Sequence, residues 1–366
     1  MTQARIENIK RIVVRGTNWV GDSVMSVPAL RALRRLVPDA EITLAIRPWA
    51  KGLFADADFI DELLICDRKG IASVVEQIRE WRRRQFDLAV LFPNAFEAAL
   101  IPFGARIPYR LGYATEARQL LLTNPLPLPE WRASRHEVFY YLYLIAALEQ
   151  LLTGANSVCD NEPDTALDLS DSRRAEALAL LRRSGVSENR TIVVICPGSI
   201  NSRAKRWPAE RYAALADRLI ATSRAEVLLI GSKEEEDVSD AVVSQMRQAP
   251  IVLTGKTSLD QVTALLGVVD LVVTNDTGPA HIAAALGSPA LVIFGPTNPL
   301  TTRPFSPVAE ILRHPPDCAP CMLRDCPIDH RCMTAITVDE VFERAAVLLN
   351  RKKLATLARS LCDSVA

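Results

Sequence analysis

Aromatic residues make up only 6% of the 366 residues, and 43 Lys+Arg against 43 Asp+Glu leave no net charge. That balance excludes a chain-wide field for nucleic acid, so any anion site must be local. The longest apolar run, Val138 to Leu148, stops at Glu149 and is too short to span a bilayer. The start, MTQARIENIKRIVVRG, lacks the apolar core of a secretory leader, and the expectation is a cytosolic protein. Neither first loop reads G-x-G-x-x-G, which argues against a dehydrogenase. The P-loop pattern G-x-x-x-x-G-K-[ST] and the G-x-S-x-G hydrolase elbow are also missing. The eight cysteines, in a long chain expected to stay in the cytosol, read as thiols or a metal site rather than a disulfide framework.

What is present is a globular composition, 49% hydrophobic and 23% charged, long enough for two domains. Arg11–Arg15 reads as a buried strand leading into the Gly-bearing loop Gly16–Gly21, where Asp22 or Ser23 can cap the next helix. Val27, Leu30, Leu33 and Val37 form its apolar stripe. Strands at 41–46, 62–66 and 88–92 and a basic helix at 73–84 continue the alternation. Residues 104–123 read as an arginine-bearing loop. A helix at 137–152 carries core aromatics, and 153–165 is the best linker. A helix at 173–184 precedes a second series with strands at 191–196, 227–230, 251–253, 271–273 and 290–294. Its helices are expected at 210–221, 234–247 and 259–268, and a last helix at 338–362. Strand–helix alternation implies two doubly wound α/β domains of the Rossmann type, whose ligands bind beyond the carboxyl ends of the strands. The expected boundaries are 1–165, 166–345 and a helical tail, 346–366.

Five constellations can carry chemistry. Asp22, beyond the first strand, suits a general base, with a helix cap as the competing role. In CPGSINSRAKRWPAERY, Ser199, Arg203, Lys205 and Arg206 suit a phosphate, or form a solvated basic loop. In LVVTNDTGPAHIAAALGSP, a strand, turn and helix place Asp276, Thr277 and Gly278 at a helix N-terminus. Such a terminus attracts anions, whereas His281 alone reads as a packing residue. In IGSKEEEDV, a carboxylate just beyond the strand suits a ribose diol, though a polar first helical turn is the simpler reading. In CAPCMLRDCPIDHRCM, the second cysteine pair does not repeat the spacing of the first, and reduced thiols are favoured over a zinc knuckle.

Taken together and in order, NWVGDSVMSVPAL, PGSINSRAKRWPAERYAAL, the GSKEEE turn, NDTGPAHIAAALGSPALVIFGPTNP and the Cys-rich segment resemble the ADP-heptose:lipopolysaccharide heptosyltransferase family, most closely its type II branch. The resemblance covers nearly the whole chain. It implies the GT-B fold, with two Rossmann-like domains facing across a cleft, the acceptor on the N-terminal one and the nucleotide sugar on the C-terminal one. It implies inverting transfer of L-glycero-D-manno-heptose from ADP-heptose to the inner-core heptose of lipopolysaccharide, with no catalytic metal and no other cofactor. By position, Asp22 would be the base and Lys205 would meet the diphosphate. Asp276, Thr277, Gly278 and His281 would hold the donor, Glu235 or its neighbour Glu234 the ribose, and Ser199 the diphosphate. Arg110, Arg118 and Arg31 are candidates for the anionic acceptor, while Glu97 departs from the basic residue expected of relatives. A lipid-A-linked acceptor implies peripheral contact with the inner face of the cytoplasmic membrane. Another GT-B nucleotide-sugar enzyme, such as an epimerase or hydrolase, or a non-catalytic binder would share the scaffold.

Overall fold

Short runs of β-branched and aliphatic residues, each closed by a polar turn, set the architecture in a computed structural model. It describes residues 9–67, 70–187 and 190–363, and their side chains except at 353 and 355–363. The expectations for residues 1–8 and for the end of the tail, 364–366, lie outside the described residues. The chain divides into two compact units, Met1–Leu167 and Asp168–Ala366.

The first unit runs β1 (Arg11–Arg15), α1 (Val20–Met25), α2 (Val27–Leu36), β2 (Glu41–Ile46), β3 (Glu62–Ile65), α3 (Gly70–Arg84), β4 (Leu88–Leu91), α4 (Phe96–Gly104), β5 (Tyr109–Tyr113), β6 (Asn124–Leu126) and α5 (Glu137–Thr153). The strands form one sheet in the order β3-β2-β1-β4-β5-β6, and every pairing is parallel. Parallel strands need both faces covered, which is why Ile12 to Val14 of β1 and all of β4 read as continuous apolar runs and are buried. One core holds Val13, Ala45, Trp81, Ala89 and Leu91. In α5, Tyr140 and Tyr141 are buried, as a core helix requires. The order reverses between β1 and β4, the position where such sheets open a ligand crevice.

The second unit repeats this order. It runs α6 (Asp171–Arg183), β7 (Thr191–Cys196), α7 (Ala209–Ser223), β8 (Ala225–Leu229), α8 (Glu236–Val243), β9 (Ile251–Val252), α9 (Leu259–Leu266), β10 (Leu271–Asn275), α10 (Gly278–Ala285), β11 (Ala290–Ile293), α11 (Pro299–Thr302), β12 (Ala309–Leu312), α12 (Arg331–Thr334) and α13 (Val338–Asp363). Its parallel sheet reads β12-β11-β10-β7-β8-β9, with the reversal between β7 and β10. The last helix starts well before 346. Its early residues Val341, Ala345, Leu348 and Leu349 are part of this unit's core.

Three strands, β5, β6 and β12, were not expected. The sequence YRLGY carries an arginine and a glycine, NPL carries a proline, and AEIL is short and half-buried. Such strands sit toward a sheet edge, where the apolar pattern is weakest.

The start of α13 is fixed by a capping box. Glu340 accepts from the Thr337 amide at 2.8 Å and from its hydroxyl at 2.8 Å, while Thr337 Oγ1 accepts from the Glu340 amide at 3.3 Å. His314 Nε2 lies 2.7 Å from the other carboxylate oxygen. The Thr337 amide, then its hydroxyl and His314, pull the Glu340 carboxyl down to about 2. A depressed carboxyl stabilises the fold above its ordinary value near 4.5 and loses that contribution as pH falls toward 2. The group is largely solvated, so the contribution is discounted to about 0.5 kcal/mol. Glu340→Gln should therefore be less stable than the parent at pH 7 and indistinguishable from it near pH 2, as read by urea unfolding. A gap of constant size across that range would remove the charge from the account.

Candidate active site

In the second unit, the two loops at the β7/β10 reversal come together. β10 is fully buried and ends at Asn275, whose side chain was not singled out in the sequence. Its Oδ1 accepts from the Trp207 amide at 3.0 Å and from the Tyr212 hydroxyl at 2.9 Å. Its Nδ2 donates to the carbonyls of Pro197 at 2.8 Å and Gly198 at 3.2 Å. One amide thus ties the end of β10 to the loop after β7 and to the start of α7.

Asp276 follows, buried to 4% side-chain exposure. Lys205 Nζ donates to its Oδ2 at 2.8 Å and to its carbonyl at 3.1 Å, and the Thr297 hydroxyl donates to the same Oδ2 at 2.7 Å. A buried carboxylate is tolerable only with such partners. Thr297, from the loop after β11, is a second residue that the sequence reading passed over.

Thr277 is the N-cap residue of α10, with Gly278 first in the helix and Pro279 next; no side-chain cap bond is made. Both positions lack an intrahelical partner for their amide, so proline fits either. The amides of this turn stand at the positive end of the helix dipole. His281 is buried within the helix, and Gly287, at φ +74°, follows its end.

Glu235 is nearly buried and its Oε2 accepts from the Ser232 amide at 2.9 Å. Its carboxylate lies over Gly198, where an added Cβ would come within 2.2 Å of Oε1, so any other residue there would displace the Glu235 side chain. Burial raises the Cys196 thiol, and the nearby Glu235 charge raises it further. Glu235 therefore joins Gly198, Asn275, Asp276 and Lys205 at one sheet edge. Glu234 is exposed, its carboxyl held low by its own amide and by Ser232. Ser199 is buried, and its carbonyl accepts from Arg206 Nε at 3.2 Å and from a terminal guanidinium nitrogen at 3.0 Å.

The Cys-rich segment supports the Lys205 loop. The Ala204 amide donates to the Arg324 carbonyl at 2.9 Å, the Ser202 hydroxyl lies 3.2 Å from that carbonyl, and Arg203 pairs with Asp325 at 2.6 Å. Cys332 is buried, and its thiol is pushed up to about 11 by burial and by Cys326, Cys321 and Cys318 nearby. Among the described residues, no group of three or more His, Cys, Asp or Glu is arranged to hold a metal ion.

In the first unit, Gly16 lets the chain pass β2: a Cβ there would lie 3.0 Å from Ile46 Cγ2 and 3.3 Å from the Ala45 carbonyl. Trp19 is the N-cap residue of α1, so neither Asp22 nor Ser23 fills the capping role expected of them. Ser23 Oγ instead bonds back to the Trp19 carbonyl at 2.9 Å, and Asp22 sits in the first helical turn. Its Oδ1 accepts from the hydroxyl of buried Tyr141 at 3.0 Å. Glu137, one turn before Tyr141, has its carboxyl pushed up to about 7, first by burial and then by the Asp22 charge, with Arg132 opposing.

Two arginines expected to face an acceptor are placed otherwise. Arg118 is fully buried. Its Nε donates to the Tyr113 carbonyl at 2.7 Å, and its terminal nitrogens donate to the Pro93 carbonyl and to Asn94 Oδ1. Burial lowers its pKa to about 10. Arg110 donates through Nε to the Leu121 carbonyl at 2.6 Å and also to the Ile107 carbonyl, and it lies against the Phe103 ring. Guanidinium groups fit carbonyl clusters as well as they fit phosphates, and a sequence does not separate the two uses. Arg31 pairs with Asp58 and Asp164. Arg47, just after β2, donates from Nε to Asn18 Oδ1 at 3.3 Å, and Asn18 shares a small recess with Arg15 and Glu97.

A family model described as glycosyltransferase family 9 (heptosyltransferase) matches residues 74–331. Lipooligosaccharide heptosyltransferase 2 of Haemophilus influenzae is 31% identical over 312 residues, covering 82% of this chain and 88% of the relative. Lipopolysaccharide heptosyltransferase 2 of Salmonella typhimurium is 30% identical over 313 residues, covering 83% and 88%. The structure of E. coli ADP-heptose LPS heptosyltransferase II superposes with a TM-score of 0.78 at 28% identity, covering 94% of this chain and 99% of that one.

Proposed function

Because this chain belongs to glycosyltransferase family 9, the heptosyltransferases, we propose that it moves L-glycero-D-manno-heptose from ADP-heptose to the inner-core heptose of lipopolysaccharide, with inversion. The observation that carries the donor half is the Lys205–Asp276–Thr297 network beside the α10 N-terminus. A similar structure is described as an ADP-heptose enzyme, which supports the choice of nucleotide sugar.

In this reading the second unit holds the donor. Lys205 and the amides of Thr277 and Gly278 meet the diphosphate, Glu235 takes the ribose, and Ser199 lies beside the phosphates. Asp276 fixes the ammonium group of Lys205, and buried His281 supports the helix turn from within. The first unit holds the acceptor. Asp22 takes the proton from the acceptor hydroxyl as its oxygen attacks the anomeric carbon. The bond to the diphosphate breaks, and ADP leaves with the electron pair. Charge grows on the leaving phosphates, and preorganised donors stabilise it without reorganising. Attack opposite the leaving group inverts the anomeric centre. Catalysis requires the acceptor hydroxyl and the anomeric carbon to be held in reacting geometry with water kept out.

For the acceptor's anionic groups we propose Arg47, with Asn18, in place of Arg110 and Arg118, whose guanidinium groups are held by backbone carbonyls. Arg47→Ala should raise the acceptor KM about tenfold, the loss of roughly one charge-assisted hydrogen bond, with the donor KM unchanged. An unchanged acceptor KM would exclude Arg47. The acceptor's lipid anchor places the enzyme at the membrane surface during turnover, and flotation with vesicles carrying the acceptor tests that. The function itself is tested by incubating the protein with ADP-heptose and truncated core acceptors while following ADP release and product mass. Acceptor-dependent release with a heptosylated product is expected. Equally fast release from donor alone would favour a hydrolase or epimerase, and no release with any acceptor a non-catalytic binder.

A further inference from the structure

α5 brings a tyrosine and a carboxylic acid to Asp22 from one face. Glu137 and Tyr141 are four residues apart in the helix, so they lie one above the other. The Tyr141 ring is buried against Phe92, at 5.2 Å between centroids and 56° between planes, and against Tyr140, at 5.8 Å and 76°. Phe92 follows β4, and Tyr140 is stacked on Tyr113 of β5 at 4.2 Å. The hydroxyl is therefore aimed by the sheet itself. A buried tyrosine hydroxyl needs an acceptor. Tyr113 finds the Tyr140 carbonyl at 2.6 Å, and Tyr140 finds Asn94 at 3.1 Å. Both of those partners are neutral. Tyr141 instead donates to a carboxylate, Asp22 Oδ1, at 3.0 Å.

We propose that Tyr141 is a positioning residue for the Asp22 base, holding one carboxylate oxygen by a donated hydrogen bond so that the other is presented to the acceptor hydroxyl. This rests on the reading of Asp22 as the base. Burial, and after it the charges of Asp22 and Glu137, raise the Tyr141 phenol far above its ordinary range, so it stays a neutral donor at every working pH. A hydrogen bond given to a carboxylate favours its ionised form, which is the form a base needs. Glu137 acts in the opposite sense: once ionised, it places a second negative charge beside Asp22 and favours the protonated acid. Arg132, which lies over the Tyr140 ring at 4.6 Å, moderates Glu137. α2 also packs against α1, but its Arg31 and Arg34 are directed to Asp58, Asp164 and Asp61. The two α5 side chains thus act on the same carboxylate with opposite signs, Tyr141 at every working pH and Glu137 only once it ionises, near 7.

Tyr141→Phe keeps the ring and removes the hydroxyl, and Glu137→Gln keeps the shape and removes the charge. The measurement is kcat/KM for the acceptor against pH, with ADP affinity and the melting midpoint recorded for each variant. Tyr141→Phe should move the acid limb up by about one pH unit, the size of one modest charge-assisted bond, with ADP affinity unchanged. Glu137→Gln should leave the acid limb in place, because Glu137, pushed up to about 7 in part by the Asp22 charge, is still protonated where Asp22 ionises. An acid limb fixed in Tyr141→Phe, with turnover lost only in proportion to folded protein, would show a packing role alone and overturn the proposal. Asp22→Asn is measured alongside. If it retains turnover, the base assignment fails; if it is inactive while the Tyr141→Phe limb stays fixed, only the positioning role fails.

Discussion

Asp22→Asn should lower turnover by a factor of about 10²–10⁴, the usual worth of a general base, and leave ADP binding untouched. Asparagine keeps the shape of the side chain, and its oxygen can still accept from Tyr141, so the first turn of α1 should survive. What disappears is the group that takes the proton from the acceptor hydroxyl. ADP contacts are proposed for the second unit, whose sheet and core are its own. The expected pattern is therefore a normal calorimetric titration with ADP and nearly absent ADP release from ADP-heptose plus acceptor. Turnover within tenfold of the parent would remove Asp22 from the base role.

The second large effect is expected at Lys205. Lys205→Ala should reduce transfer by about 10²–10³, the cost of removing one preorganised donor from developing charge. It should also destabilise the second unit. Asp276 is only 4% exposed on its side chain and would keep Thr297 but lose its cation. Leaving a buried carboxylate without its counter-charge costs about 3–5 kcal/mol. The two effects separate in a double variant. Lys205→Ala with Asp276→Asn should recover much of the melting midpoint, because a neutral amide can still accept from Thr297, yet recover no turnover. A single variant that binds ADP as tightly as the parent, and slows only as far as it unfolds, would confine Lys205 to a structural role.

The central strands and the turn that follows β10 were legible because their physics is local. β1, β2, β7 and β10 are apolar β-branched runs with abrupt polar ends, and Gly278-Pro279 marks a helix start by composition alone. The arginines were not legible in the same way. Arg110 sits in a strand that the sequence pattern did not reveal, and Arg118 turns inward to the Pro93 carbonyl, 25 residues away in the chain. Long-range pairing decides such cases, and composition carries no trace of it. Asn275 and Thr297 were missed for the same reason. Each looks like an ordinary polar residue at a strand end until its partners, 63 to 78 and 21 residues distant, are known. Tyr141 was assigned correctly to the core, but its hydroxyl's partner lies 119 residues away.

The brace made by Asn275 has an evolutionary corollary. Its oxygen serves two donors and its nitrogen serves two carbonyls, all within 3.2 Å. Aspartate, one nucleotide change away, matches the shape but would turn a carboxylate oxygen toward the two carbonyls. Serine, threonine, isoleucine, lysine, histidine and tyrosine complete the amino acids reachable by one such change. None of them offers an acceptor and a pair of donors at that reach. Any lineage that alters this position must pass through a chain in which the end of β10 and the loop after β7 are no longer joined. Change in donor preference is therefore expected to accumulate around Asn275, in the loops it joins, rather than at it.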